Sequence, residues 1–125
     1  MIYHLVPEPE FLDCFNGDVY IPPSLAACGF VHCARQASVI PVANDFFAAV
    51  TDKLLVLLID PKMLDAEVKY EPASPVGNSG DSHLGSATEF PHIYGPVNSS
   101  AILGVTTLQN TPQGFSWPND DPGEA

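Results

Sequence analysis

Basic residues are scarce in this sequence. Its 125 residues include 4 Lys and Arg against 15 Asp and Glu, which gives a formal net charge of −11. A protein that binds nucleic acid through the phosphates needs many more cations, and so does one that docks on an anionic membrane. The charge balance therefore predicts neither a nucleic-acid partner nor a membrane partner.

Paired cysteines and long apolar runs are also missing. Cys14, Cys28 and Cys33 form no C-x-x-C motif, and an odd number of cysteines fits a reducing compartment better than a disulfide framework. The longest apolar run, residues 54–59, is far shorter than the roughly 20 residues of a membrane-spanning helix. The first residues do not resemble a signal peptide. These features predict a cytoplasmic protein without a membrane segment.

Several catalytic signatures are absent. The sequence contains no G-x-G-x-x-G, no P-loop and no G-x-S-x-G, which excludes the usual patterns of Rossmann dehydrogenases, P-loop NTPases and serine hydrolases. Cys28, His32 and Cys33 are possible zinc ligands, but adjacent strand residues point to opposite faces. His32 and Cys33 therefore cannot easily hold one ion, and we predict no metal site.

The sequence does contain a series of short β-prone segments around one helical pattern. Apolar residues at positions 39, 42, 43, 46 and 50 follow helical spacing, which predicts an amphipathic helix capped by Ser38 with Pro41 in its first turn. Residues 54–59 show no polar alternation, as expected for a central strand covered on both faces. We predict a compact α+β domain with a mostly antiparallel, split sheet and short helices.

The chain is predicted to form a single domain over residues 1–109. Residues 72–88 are rich in Pro, Gly, Ser, Asn and Asp, a composition that predicts a mobile loop. Residues 110–125 are predicted to be a polar, flexible tail, except where Phe115 or Trp117 packs back on the body.

Three of the four histidines lie in apolar, strand-like contexts: His4, His32 and His92. His83 lies in the predicted loop. Imidazole donates and accepts protons near neutral pH, so histidines on neighbouring strands are candidates for proton transfer. We expect the three rings to line one concave surface within about 10 Å of one another. The alternative is that each is a half-buried structural residue bonded to a backbone carbonyl.

Other polar and aromatic residues are candidates for ligand binding. Glu71 and Asp60 each follow a strand and could orient a histidine or hold a ribose hydroxyl. Arg35 lies at the start of the predicted helix, where it could meet an anion together with backbone N–H groups. Tyrosines could form a wall for a planar ligand. The candidates for this wall are Tyr3, Tyr20 and Tyr94.

Several segments in a fixed order carry a resemblance to a known family. They are Ile-Tyr-His-Leu-Val at residues 2–6, Gly-Phe-Val-His-Cys at 29–33 followed by Gln36, Leu-Leu-Ile-Asp at 57–60, Tyr70-Glu71, and Phe-Pro-His-Ile-Tyr-Gly-Pro at 90–96. Together they resemble the domain of unknown function 952 family of small bacterial proteins, over about residues 2–108. That family is distantly similar to the ADP-ribosyltransferase fold, including the tRNA 2′-phosphotransferases, which bind NAD or an ADP-ribosyl group between two small sheets.

The resemblance implies roles for individual residues. His4 matches a first-strand residue that contacts the ribose, and His32 matches a second-strand residue that supports the nicotinamide ribose. Many members of the superfamily have a Glu as third residue, whereas the late strand here offers His92 and Tyr94. The family pattern has Ser and Thr after His-Cys, and this chain has Ala34-Arg35, so Arg35 is the expected anion contact.

The expected function is therefore that of an ADP-ribosyltransferase-like transferase that acts at the ribose C1″ carbon, with NAD as its candidate substrate. The predicted catalytic residues are His4, His32 and His92, and the predicted ligand-binding residues are Arg35, Tyr94, Glu71 and Tyr20. Two alternatives remain: a non-catalytic module that binds a small ligand in the same cleft, and a metal-dependent hydrolase. A carboxylate near the reacting carbon would favour the transferase.

Overall fold

The computed structural model describes residues 1–72 and 89–118. The strands are β1 (Ile2–Pro7), β2 (Val19–Tyr20), β3 (Val31–His32), β4 (Leu54–Ile59), β5 (Val68–Pro72), β6 (Glu89–Ile93), β7 (Val97–Asn98), β8 (Ile102–Thr107), β9 (Gln109–Thr111) and β10 (Gly114–Ser116). The helices are α1 (Glu8–Cys14), α2 (Pro23–Cys28) and α3 (Gln36–Phe46), with 3₁₀ turns at Pro61–Met63 and Ser99–Ala101. The predicted mobile loop, apart from Pro72, and residues 119–125 of the predicted tail lie outside the described residues.

Two three-stranded sheets organise the fold. One has the strand order β1-β4-β8 and the other the order β3-β6-β5, and all their strand pairs are antiparallel. Two small antiparallel pairs, β2-β7 and β9-β10, complete the β-structure of the described residues. The α+β prediction with mostly antiparallel sheets and short helices is confirmed.

The two larger sheets meet at Tyr3 of β1 and Ala34, two residues after β3. The Tyr3 N–H donates to the Ala34 carbonyl at 2.9 Å, and the Ala34 N–H donates to the Tyr3 carbonyl at 2.7 Å. This bridge places β1 beside the end of β3. It therefore brings the two predicted histidine strands into contact.

Two hydrophobic clusters cover opposite faces of β1 and β4. The first cluster consists of Ile2, Val6, Tyr20, Val31, Cys33, Leu55, Leu57, Ile59, Ile93, Val97 and Ala101. The second cluster consists of Tyr3, Leu5, Ala34, Val39, Ala43, Leu54, Val56, Phe90, Leu108 and Phe115. Because alternate residues of β4 enter each cluster, this strand is apolar throughout, as the sequence predicts.

Helix α3 differs from its predicted bounds. Arg35, whose backbone is extended, takes the N-cap position that was predicted for Ser38, and the helix ends at Phe46. The bridge through Ala34 delivers the chain directly to the helix start. Pro41 therefore lies inside the helix, where its missing N–H removes one backbone hydrogen bond. Among the described residues, no helix is long and apolar enough to cross a membrane.

The hairpin β9-β10 packs against α3. The Phe115 N–H donates to Oδ1 of Asn44 at 2.9 Å, and the Phe115 ring is buried in the second cluster. Trp117 contacts Tyr3 edge-on, with ring centroids 6.2 Å apart. Both aromatic residues thus pack on the body, and the chain from 109 to 116 is paired as strands.

Candidate functional site

The sheet β3-β6-β5 has one apolar face and a second face that carries several polar side chains beside the buried Phe90. Val31 and Ile93 are fully buried in the first cluster. His32 follows Val31 and His92 precedes Ile93, so both histidines project from the other face of the sheet. His32 lies directly opposite His92 across the strand pair, and Lys69 lies opposite His92 on its other side. We call this surface the polar face. Its residues are Phe30, His32, Lys69, Glu71, His92 and Tyr94.

The two histidines of the polar face are in ring contact. Their ring centroids are 5.7 Å apart and their planes are nearly perpendicular, at 84°. Burial lowers the pKa of His32, and the neighbouring His92 ring lowers that pKa further. His32 is therefore neutral at physiological pH and is able to accept a proton.

A carboxylate fixes the orientation of His92. Oε1 of Glu71 lies 2.7 Å from Nδ1 of His92 and also accepts the Tyr94 hydroxyl proton at 2.6 Å. Because a carboxylate accepts, Nδ1 of His92 carries the proton in the neutral ring and Nε2 holds a lone pair. The arrangement therefore presents Nε2 as a hydrogen-bond acceptor or proton acceptor.

The same hydrogen bonds stabilise the ionised form of Glu71. The bond from Tyr94, followed by the bond from His92, lowers the pKa of the Glu71 carboxyl. The bond to Glu71 in turn raises the pKa of the Tyr94 hydroxyl. The pKa of Glu71 lies below its ordinary value, so the polar face holds a carboxylate that is ionised at neutral pH.

A carboxylate from the neighbouring strand β5 contacts the side chains of the late strand. The late strand itself offers only His92 and Tyr94, as expected, but β5 brings Glu71 against both. Oε1 of Glu71 makes both bonds. Among the described residues, none bonds to Oε2 of Glu71, which leaves that oxygen able to accept a hydroxyl from a ligand.

Two of the four cations of the chain lie against tyrosines of this sheet. Nζ of Lys69 is 4.9 Å from the ring centroid of Tyr94, and Cζ of Arg35 is 4.9 Å from that of Tyr70. Both distances are typical of cation–π contacts. Lys69 adds positive charge at the polar face, whereas Arg35 stands exposed at the start of α3, where the sequence predicts an anion contact.

His4 occupies a different environment. Successive residues of β1 face opposite sides, and Ile2 and Val6 belong to the first cluster. The His4 ring therefore lies on the first-cluster side of β1, together with Tyr20. Nδ1 of His4 donates to the His32 carbonyl at 2.6 Å, and Nε2 accepts the Tyr20 hydroxyl proton at 2.7 Å. Burial lowers the pKa of His4 to about 4, so the ring is neutral at physiological pH.

Tyr20 is the partner that completes this buried pair. Its side chain has no exposed surface, and burial raises the pKa of its hydroxyl. In the structure Tyr20 supports His4, and its predicted contact with a ligand stays a prediction.

The structure therefore joins four of the predicted site residues: His32, His92, Glu71 and Tyr94. The other three lie elsewhere. His4 and Tyr20 lie behind the sheet and reach the polar face through the backbone carbonyl of His32, and Arg35 stands at the helix start. The expected single surface with three histidine rings is found for His32 and His92 only, since β1 presents the His4 ring to the core. The catalytic roles of all three histidines stay predictions.

Two residues of the polar face were not predicted as site residues. Phe30 stacks on His92 with ring centroids 4.1 Å apart, and Lys69 approaches Tyr94. Strand alternation was a signal for Phe30, which precedes His32 by two residues and so shares its face. For Lys69 the signal was weaker, because it depends on the register between β5 and β6.

The described part of the chain contains no candidate metal site. Within residues 1–72 and 89–118, no three His, Cys, Asp or Glu side chains are grouped closely enough to hold a metal ion. Cys33 is buried in the first cluster, on the opposite side of β3 from His32, and burial raises the pKa of its thiol.

Comparisons with known proteins identify the fold and the family of this chain. Two crystal structures of protein CC0527 from Caulobacter crescentus, one of them of a double mutant, superpose on this chain with a TM-score of 0.71. They are 19% and 18% identical to it, and each alignment covers 91% of this chain and 90% of that protein. None of the curated proteins matches. A family profile described as a protein of unknown function, DUF952, matches residues 5–105. The chain therefore belongs to the DUF952 family.

Proposed function

We propose that this protein is an ADP-ribosyltransferase-like transferase that binds NAD or a related nucleotide at the polar face. The observation that carries the proposal is the position of Glu71, which bonds to both His92 and Tyr94 through Oε1 and has no partner at Oε2 among the described residues. Two small antiparallel sheets joined at Tyr3 and Ala34 are consistent with the two-sheet cleft of the superfamily that the sequence resembles.

In the proposed transfer, the bond between the ribose C1″ carbon and the nicotinamide nitrogen breaks, and neutral nicotinamide leaves with the bonding electrons. Positive charge develops at an oxocarbenium-like C1″, to which the attacking group then bonds as it loses its proton. An ionised carboxylate near that carbon stabilises the developing charge electrostatically. Glu71 is ionised at neutral pH, and its hydrogen bonds hold its pKa below the ordinary value. Oε2 of Glu71 is also suited to accept a ribose hydroxyl, which would hold the sugar beside the carboxylate.

The histidines take distinct parts in this proposal. Nε2 of His92 carries a lone pair, so it can accept a proton from the group that attacks C1″. His32, whose ring is neutral, lies 5.7 Å from His92 and can bond to a second hydroxyl. His4 acts as a positioning residue, because its ring holds the backbone carbonyl of His32.

The nucleotide phosphates need local positive charge on a protein of net charge −11. Lys69 is the polar-face cation, and Arg35 lies at the start of α3 beside backbone N–H groups. We therefore assign Lys69 to the phosphates nearest the site and Arg35 to a more distant anionic group.

A second candidate function is non-catalytic binding of a small ligand at the same face. The low exposure of His92 favours it, because only 4% of the His92 side chain is exposed and little of the ring is accessible to a reacting group. Binding without turnover would distinguish this function from the first.

The test measures NAD binding and nicotinamide release on the same samples. Wild-type protein is titrated with NAD and ADP-ribose by calorimetry, and nicotinamide release is followed by chromatography. We expect Glu71→Gln and His92→Asn each to lower the release rate by about a hundredfold or more. The control, Asp52→Asn, removes one negative charge from an exposed site and should leave the rate unchanged.

The outcomes separate the candidates. Binding with release that depends on Glu71 supports the transferase. Binding without release in wild-type protein supports the non-catalytic module. If neither NAD nor ADP-ribose binds, the nucleotide proposal is wrong.

A further inference from the structure

Strand β8 forms an open edge of the sheet β1-β4-β8. Among the described residues it pairs with β4 only, and hydrogen-bonded and non-hydrogen-bonded positions alternate along an antiparallel pair. The Leu108 N–H, which continues the register of this pair, donates to the Leu54 carbonyl at 3.0 Å. By this alternation Val105 and Thr107 turn their backbone N–H and C=O groups away from β4. No described residue bonds to these outward groups.

The side chains along this edge are uncharged, and two of them are apolar. Leu103 and Val105 are 53% and 49% exposed, and Thr107 is exposed. Val105 lies opposite Leu57, a member of the first cluster, and directly opposed residues share one face of a sheet. Val105 therefore extends the apolar face of the sheet to its rim. Unpaired backbone groups beside exposed apolar side chains form a template for a further strand.

The other outer strands of the two larger sheets are protected against such pairing. At β1, the N–H and C=O of Tyr3 are bonded to Ala34. β5 carries Lys69 and ends at Pro72, and both lysine and proline hinder pairing at an edge. β3 has only two residues, which is too short to template a stable pair. β8 has six residues and contains neither a charge nor a proline, so it lacks all of these protections.

The charge distribution favours a second copy of this chain as the partner of β8. Each copy carries a net charge of −11, so two copies repel each other through their charged surfaces. Residues 90–118, which include β8, contain no Asp, Glu, Lys or Arg, so this edge is where two copies meet without opposed carboxylates. Antiparallel pairing of two identical strands about a twofold axis also uses the open edge of both copies. The assembly therefore closes as a dimer and does not grow into a fibre.

We propose that this protein forms a dimer in which β8 pairs antiparallel with β8 of a second copy, around a twofold axis at Val105. The backbone N–H and C=O of Val105 in each copy bond to those of Val105 in the other, and the two valine side chains meet on one face. The pairing joins the two three-stranded sheets into one sheet of six strands. The polar face belongs to the other sheet, so this inference does not depend on the proposed function.

The first experiment measures the oligomeric state of the full chain by sedimentation velocity. A single strand pair buries less surface than a standard interface, so we expect a weak dimer whose fraction rises between about 10 µM and about 1 mM protein. Salt should tighten the dimer severalfold between about 0.1 M and about 1 M NaCl, because the Debye length falls from about 10 Å to about 3 Å and repulsion between the acidic copies is screened.

A charge at the twofold axis should separate the copies. Val105→Lys places two like charges directly opposite each other, and we expect the Kd of the dimer to rise about tenfold or more. Because the change makes each acidic chain less negative, a weaker dimer cannot come from greater overall repulsion. Phe46→Lys is the matched control. It adds the same charge at an exposed apolar position of α3, a helix that packs on the second cluster, and it should leave the Kd unchanged.

Hydrogen exchange of the wild-type amides tests the same pairing without a substitution, and it decides the case if Val105→Lys does not fold. Exchange at Val105 should slow as the protein concentration rises, because its N–H bonds only in the dimer. Exchange at Thr106, whose N–H bonds to β4, should be slow at every concentration.

Four results would overturn the inference. One is a monomer at every concentration, and another is a dimer that Val105→Lys leaves intact. Slow exchange at Val105 in the monomer would show that this edge is covered from within the same chain. A dimer that weakens as salt is added would show that ion pairs at another surface hold the copies together.

Discussion

Acidification should destabilise this protein through His4, the buried histidine of β1. Its two ring nitrogens bond to the His32 carbonyl and to the Tyr20 hydroxyl, an arrangement that suits the neutral ring. A second proton on Nε2 would face the Tyr20 hydroxyl, which now donates to that nitrogen. Burial removes the ring from the water that would solvate its charged form, so protonation of His4 is disfavoured in the folded state and unhindered in the unfolded chain.

The magnitude follows from the two pKa values. The pKa of His4 falls from 6.5 to about 4 on folding, a difference of about 2.5 units that corresponds to about 3 kcal/mol of unfolding free energy at 1.36 kcal/mol per unit. Because the folded pKa is the lower one, the unfolded state binds the extra proton. The contribution of His4 is complete above pH 6.5 and is lost as the pH falls towards 4.

The assay is urea unfolding at a series of pH values between 4 and 8. His4→Gln keeps a side-chain donor for the His32 carbonyl but does not titrate, so its stability should fall less across this window than that of wild-type protein. Tyr20→Phe is the matched control, because it removes the hydroxyl partner of Nε2 and keeps the histidine. It should be about 1–3 kcal/mol less stable at pH 7 and still depend on pH.

His32 has a lowered pKa too and contributes in the same direction, so the difference between wild-type protein and His4→Gln isolates His4. An NMR titration of the His4 ring in the folded protein gives its pKa directly. A midpoint near 6.5, or identical pH profiles for wild-type protein and His4→Gln, would refute the reasoning.

Three further predictions concern single substitutions. His32→Ala should abolish nucleotide binding while the free energy of unfolding changes by less than about 1 kcal/mol, because among the described residues no group bonds to this half-buried ring; a large loss of stability with unchanged binding would reject the site. Gly114→Ala should lower the free energy of unfolding by about 1 kcal/mol or more, because φ at Gly114 is 118° and an added Cβ would lie 2.8 Å from Oδ1 of Asn44. Gly104→Ala is the control, because a Cβ added there would meet no atom within 4 Å. Tyr94→Phe should raise the pKa of Glu71 towards its ordinary value, as observed in a carboxyl NMR titration, because the Tyr94 bond is the largest cause of the lowered pKa; an unchanged pKa would contradict this assignment.

The sequence predicts where the strands of the site lie. It predicts less well which side of each strand faces the site. β-Prone composition places strands at both His4 and His32, and the apolar run at residues 54–59 identifies β4 as a strand covered on both faces. The segment around His4 is apolar at every position. Alternation therefore cannot tell which face of β1 holds the polar site, and only the packing of Ile2 and Val6 in the first cluster shows that His4 turns inward.

The pairing of Glu71 with His92 depends on long-range register. These residues are 21 positions apart, and their contact follows from the alignment of β5 with β6. A shift of one residue would turn Glu71 to the other face. The sequence shows that a carboxylate at this position could orient a histidine, but it does not show which histidine. The start of α3 is likewise set by the bridge between Tyr3 and Ala34, which is a tertiary contact.

The most direct test of the polar face as the functional site is a two-bond ¹H–¹⁵N NMR spectrum of the imidazole rings recorded during a titration with NAD. We predict that His92 carries its proton on Nδ1 before NAD is added, because Glu71 accepts that proton. NAD should then produce saturable shifts at His32 and His92 and smaller shifts at the buried His4. A proton on Nε2 of His92, or unchanged His32 and His92 signals at high NAD concentration, would contradict the account.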